Sequence, residues 1–150
     1  MGSFTESTTI GRPIADVFSV LTDVERTGTW FPGNVEEHWT SPAPHGVGST
    51  RRAIVTMMGR RTENDAVVVA HDPPHLAAMQ GLSPQAPFLA TLRFASVNGG
   101  TRVDVSIELP IRGPMRVLDP VVTRWYQGQW RRGLANLKAM LEAGATPGPA

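Results

Sequence analysis

Cysteine is absent from the 150 residues, which excludes disulfides and thiolate metal sites outright. Lysine occurs once, at Lys138, and basic residues outnumber acidic ones by only 14 to 13. The resulting charge of +1 argues against a protein held to nucleic acid through phosphates, which would carry a basic patch. Here Arg12, Arg51, Arg52, Arg60, Arg61, Arg102, Arg131 and Arg132 are scattered instead. No apolar run approaches the roughly 18 residues that a membrane helix needs, and no signal-peptide core opens the chain. Met1-Gly2 begins like a myristoylation signal, but Glu6 stands where that signal wants Ser or Thr. The expectation is a cytoplasmic protein without stable membrane insertion. The preference for Arg over Lys, with abundant Ala, Gly and Pro, points to a GC-rich bacterial genome. There is no phosphate loop, dinucleotide fingerprint or nucleophile elbow. Spacing yields no Ser–His–Asp set, so no cofactor is expected and nucleophilic catalysis is unsupported.

What is present is an ordinary globular composition, 41% apolar and 18% charged. The length predicts one domain, residues 1–143, with a disordered tail over 144–150. The strongest periodic signal lies at Asp119–Glu142. Val122, Tyr126, Trp130, Gly133, Leu134, Leu137, Met140 and Leu141 recur at helical spacing, opposite Arg124, Arg131, Lys138 and Glu142. Asp119 is suited to cap this helix, Pro120 to its first position and Gly144 to its end. A helix this long and amphipathic needs a large apolar partner surface.

Strands supply that surface. Ser3–Ile10 reads as an edge strand. Pro13 opens a helix with Ile14, Val17, Phe18 and Leu21 on one face, and Asp23 caps a second short helix to about Thr27, ended by Trp30-Phe31-Pro32-Gly33. Strands follow at Val35–Thr40, Thr50–Met58, Arg61–Ala70, His75–Leu82, Phe88–Val97 and Thr101–Leu109, separated by turn chemistry such as Gly59-Arg60 and Asn98-Gly99-Gly100. Short links imply an antiparallel meander. The alternation Phe88, Ala90, Leu92, Phe94 and Val103, Val105, Ile107, Leu109 gives that sheet one dry face. The long helix is the only element able to cover it, so the sheet must curl round it. The fold class is therefore α+β.

Several stretches also match a known family in order: Arg12-Pro13-Ile14-Ala15-Asp16-Val17-Phe18 with Leu21-Thr22-Asp23, Trp30-Phe31-Pro32-Gly33, Gly46-Val47-Gly48-Ser49, Asp72-Pro73-Pro74, Gly99-Gly100-Thr101-Arg102-Val103, and Leu134 to Glu142. Together they resemble the SRPBCC superfamily of START-like, helix-grip proteins, near its polyketide cyclase/dehydrase branch. The resemblance implies a curved seven-stranded sheet wrapped round the C-terminal helix, with a cavity for a lipid, sterol or polyketide-like ligand. Fold does not set function, and the matching motifs are structural.

The candidate cavity residues are Trp30, Phe31, Trp39, Ile54, Met58, Met79, Phe88, Leu92, Trp125, Tyr126, Gln129 and Trp130. Gly128 and Gly133 leave room in the helix, and Met57, Met58 and Met79 offer adaptable thioethers. The same aromatics can also fill a solid core. Thr50–Met58 is apolar on both faces, so the face that lines the cavity stays open. If Val35 and Trp39 face inward, so does Glu37, and a buried carboxylate needs a partner or a raised pKa. Arg52, one strand away, is a candidate partner. Glu63 and Asp65 are expected to face solvent. His71 and His75 flank two prolines and read as a solvated turn rather than a metal site. The main expectation is a binder of a hydrophobic small molecule, with dimerisation left open. The alternative is a polyketide aromatase/cyclase or dehydratase in which Glu37, Arg52 and Tyr126 move protons, and a protein-interaction domain is the third class.

Overall fold

At Asn98-Gly99 both residues hold positive φ, 37° and 82°, the hairpin geometry whose twist matches its strands. That turn sets Val97 opposite Gly100 and fixes which faces of two strands are shared. In the computed structural model, which describes residues 2–57, 59–82, 87–109 and 119–144, the strands are β1 (Gly2–Ile10), β2 (Asn34–Trp39), β3 (Thr50–Met57), β4 (Arg60–Asp72), β5 (Leu76–Gly81), β6 (Leu89–Val97) and β7 (Gly100–Leu109). They form one antiparallel seven-stranded sheet in the order β1-β7-β6-β5-β4-β3-β2. Strands β2 to β7 are the expected meander. The first strand closes it by pairing with the last, Phe4 opposite Ile107.

Between β1 and β2 lie α1 (Ile14–Thr22) and a 3-10 helix (Val24–Thr29) capped by the Asp23 carboxylate, which accepts from the Glu25 N–H. The second short helix of the sequence reading is thus the tighter 3-10 form. The fourth strand runs past Ala70 to Asp72, which puts His71 on a strand rather than in a turn. Met58, the lead-in to the long helix over 110–118 and the expected tail over 145–150 lie outside the described residues.

The dry face is as expected. Phe94, Val103, Val105 and Ile107 are buried, together with Val17, Val20 and Leu21 of α1. Against them lies α2 (Asp119–Glu142), whose Leu134, Leu137 and Leu141 are buried. Three other flanks of α2 have separate tasks. Gln127 and Arg131 reach Glu6 on β1 at 2.7 and 3.1 Å, and Glu142 accepts from the Gly11 N–H at 2.8 Å. Gln129 and Asn136 donate to the Pro32 and Trp30 carbonyls at 3.1 Å each. Gly133 permits the close approach there, since a Cβ would lie 3.2 Å from Phe31 and 3.3 Å from Trp30. Val122, Tyr126 and Trp130, four residues apart, form the third stripe, with Trp130 packed against the Trp30 and Phe31 rings.

Candidate ligand cavity

That remaining stripe of α2 borders a cavity of about 1280 Å³, at or above the upper end of the ordinary range for small-molecule sites, roughly 300–1000 Å³. The division of the helix explains its place. The C-terminal half packs solidly through Leu134, Leu137 and Leu141, whereas the N-terminal half meets the sheet only through half-buried side chains. Small residues on the facing strands, Ala53, Ala77 and Ala90, leave the space unfilled.

Of the twelve expected lining residues, Trp30, Phe31, Trp39, Met79, Phe88, Leu92, Tyr126 and Trp130 border the cavity. Trp30, Phe31 and Trp130 form one aromatic wall, with ring centroids 4.9 to 5.9 Å apart in tilted or edge-on pairs. Three residues are not on the lining. Gln129 is turned one helical stripe away and bonded to the Pro32 carbonyl. Trp125 packs edge-on against Tyr126 at 5.2 Å. Ile54 faces the other side of β3, because Arg51, Ala53 and Val55 are the residues that face in. Met58 lies outside the described residues.

The polar corner differs from expectation in one important respect. Glu37 faces inward, but its partner is Arg51 and not Arg52. Arg52 stands on the outer face, where it pairs with Asp65 at 2.9 Å. Arg51 lies diagonally across from Glu37, which sits opposite Ala53 in the β2–β3 register. The ion pair measures 2.9 Å, with side chains only 8% and 7% exposed. Val35 does not accompany Glu37 inward. It is 49% exposed, at a register shift between Asn34 and Glu36. This bulge turns Asn34 and Glu37, three residues apart, to the same side, and Asn34 Nδ2 donates to Glu37 Oε1 at 2.9 Å.

Arg51 is held from several directions. Its Nε lies 3.2 Å from Met79 Sδ, Nη1 donates to the Asn64 carbonyl at 3.1 Å and to the Asn64 side-chain oxygen, and the guanidinium carbon sits 5.6 Å from the Phe88 ring centroid. Burial pushes the Glu37 carboxyl above the usual carboxylate value, against the Arg51 charge and bonds to Asn34 and Thr27. Burial likewise lowers Arg51, with Glu37 opposing. In both cases loss of hydration outweighs the mutual attraction. Burial also raises the Tyr126 hydroxyl, again with Arg51 opposing.

Sequence reasoning missed Arg51, Asn34, Asn64 and the rim residue His45, whose ring stacks on Trp39 with centroids 4.0 Å apart. One signal could have found Arg51. A two-residue turn at 58–59 or at 59–60 puts Arg52 and Ile54 on the same face as Glu63 and Asp65, which are already assigned to solvent. In the structure Arg52 faces Asp65 and Ile54 faces Glu63. His71 borders the cavity, 5.7 Å from the Phe18 ring.

Solved structures share this architecture at low identity. The chain is similar to TTHA0849 from Thermus thermophilus, with a TM-score of 0.81, 16% identity, and 95% of this chain and 99% of that one covered. It is similar to a START superfamily protein from Mycobacterium smegmatis at a TM-score of 0.79 and 13% identity, covering 97% and 100%. The di-domain ARO/CYC BexL from the BE-7585A biosynthetic pathway aligns at a TM-score of 0.76 and 16% identity, over 95% of this chain and 47% of that one. These likenesses carry the fold. No curated protein matches the chain. Residues 1–142 match the family described as polyketide cyclase / dehydrase and lipid transport. With a sheet gripping one long helix around a hollow apolar interior, the chain belongs to that family.

Proposed function

We propose that the protein binds a hydrophobic small molecule, a lipid or a polyketide-like compound, between the sheet and α2. The observation that carries this reading is a cavity of about 1280 Å³ walled by Trp30, Phe31, Phe88, Leu92 and Trp130, together with membership of a family whose description includes lipid transport. The test is a thermal melt of purified protein with fatty acids, sterols and aromatic polyketides. A ligand at a hundred times its Kd adds about 2.7 kcal/mol, which for a domain of this size raises Tm by roughly 5–10 °C. Ala90→Trp, which puts bulk into the lining, should fold and lose the shift. If no apolar compound moves the melt, the binding reading is wrong.

The buried Glu37–Arg51 pair with Tyr126 nearby favours a second reading, an aromatase/cyclase or dehydratase acting in the same space. Positioned groups with displaced pKa values suit proton transfer on a bound chain. On that reading Tyr126→Phe and Glu37→Gln abolish turnover of a neutral polyketide-like substrate and leave its affinity nearly intact. Unchanged turnover would remove both residues from the mechanism.

A further inference from the structure

The cavity's charge pattern says more than its volume. Among the described residues, Asp23, Glu37 and Arg51 are the only Asp, Glu, Lys or Arg side chains on the lining. Asp23 is occupied at the start of the 3-10 helix, where it caps the Glu25 N–H and pairs with Arg26 at 3.4 Å. The one lining cation, Arg51, is already matched by Glu37 at 2.9 Å in a nearly sealed site. We infer that the Glu37–Arg51 pair sets the head-group charge of the guest, so that the cavity takes an apolar molecule with a neutral oxygen head, such as a ketone or hydroxyl, and refuses a carboxylate. The inference rests on the reading that the cavity holds an apolar guest.

Two physical arguments support it. An incoming carboxylate would place a second anion beside the buried Glu37, and like charges at short range in a poorly hydrated site are strongly disfavoured. Neutralising it would require a second cation, and the described lining has no Lys and no other Arg, while its two histidines, His45 and His71, lie against the Trp39 and Phe18 rings. A neutral oxygen meets no such penalty and finds donors. The bonds of Arg51 use Nε and Nη1, so Nη2 has no partner among the described residues. The Tyr126 hydroxyl likewise has none among them, and neither atom is among the sealed, unpartnered polar atoms. A carbonyl or hydroxyl oxygen accepts from both without disturbing the ion pair. Groups facing Glu37 from its surroundings are Arg51 of β3, Asn34 of its own strand and Thr27 of the 3-10 helix, while Asp65 and Tyr126 act on Arg51.

The experiment titrates wild-type protein and Glu37→Gln, at mildly alkaline pH, with a long-chain fatty acid and with the alcohol and methyl ketone of the same chain length, read by quenching of tryptophan fluorescence. In wild type the ketone and alcohol should bind at least about tenfold more tightly than the carboxylate, a difference of about 1.4 kcal/mol. Glu37→Gln should shrink the ratio of neutral to carboxylate affinity at least about tenfold. The wild-type comparison alone decides the matter if the variant misfolds. Equal or tighter binding of the carboxylate by wild type overturns this inference and leaves apolar binding standing. Binding of none of the three, nor of any compound in the thermal panel, overturns both.

Discussion

Arg51 and Arg52 are adjacent, chemically identical and opposite in consequence. One is sealed against Glu37 on the cavity wall, and the other reaches Asp65 in water. Arg51→Met should destabilise the fold by roughly 3–5 kcal/mol, because it leaves a buried carboxylate without its partner. Arg52→Ala should leave the urea midpoint nearly unchanged, since exposed pairs contribute little. Similar losses at both would mean that the faces of β3 are reversed. The sign of the pH response follows from the same residue. Burial holds the folded Glu37 carboxyl above its ordinary value of 4.5. Its contribution is therefore full below that value and is lost as pH rises through the raised one. Glu142 runs the other way. Its bonds from Lys138 and Gly11 lower it from 4.5, so its contribution is present above that value and lost on acidification. Urea melts over a pH series should show wild type losing stability relative to Glu37→Gln as pH climbs just above 4.5. A difference that stays flat would mean Glu37 is not held above its ordinary value.

At the scale of elements, the helix was legible and its division of labour was not. The periodicity of Asp119–Glu142 places Leu134, Leu137 and Leu141 on the dry side, where the structure has them. Leu137→Ala should cost on the order of 2–5 kcal/mol by opening a void between helix and sheet. Arg131→Ala, on the wet face beside Glu6, should barely move the same melt. Periodicity sets Tyr126 and Trp130 on the apolar stripe and Trp125 and Gln129 off it, and the lining follows that division, although the expected lining takes in all four. Neighbours in sequence stand about 100° apart on a helix, and only the position of Trp30-Phe31-Pro32 decides which stripe is anchored and which is left facing space. Gly133→Val tests that anchor. Its side chain has no room beside Phe31, Trp30 and Pro32, so it should cost about 1–3 kcal/mol and change the tryptophan emission. The strand Asn34–Trp39 shows the complementary limit. Simple alternation turns Val35 inward, but the bulge between Asn34 and Glu36 turns it out and gathers Asn34 with Glu37. A bulge depends on pairing with a partner strand and leaves little trace in the sequence of its own.

For the molecule as a whole, turn residues and alternation carried most of the architecture. Asn98-Gly99, the alternation of Phe88–Phe94 and of Val103–Leu109, and one unpartnered amphipathic helix leave few arrangements other than a sheet curled round that helix. The interior space was harder to read, because it depends on which small residues face each other across the fold. Ala53, Ala77 and Ala90 look ordinary in a sequence and acquire meaning only when they line the same void. No helix among the described residues is long and apolar enough to cross a membrane.

The hollow has a mechanical corollary. Compression favours whichever state occupies less total volume, and the volume lost on unfolding scales with the internal voids that unfolding eliminates. To the extent that the apolar interior of this cavity of about 1280 Å³, open at its mouth, excludes water, the protein should yield to hydrostatic pressure sooner than a solid domain of equal thermal stability. A lodged guest, or the Trp side chain of Ala90→Trp, should act as an internal strut and move the pressure midpoint upward. Fluorescence of Trp30 and Trp130 on the cavity wall would report it directly.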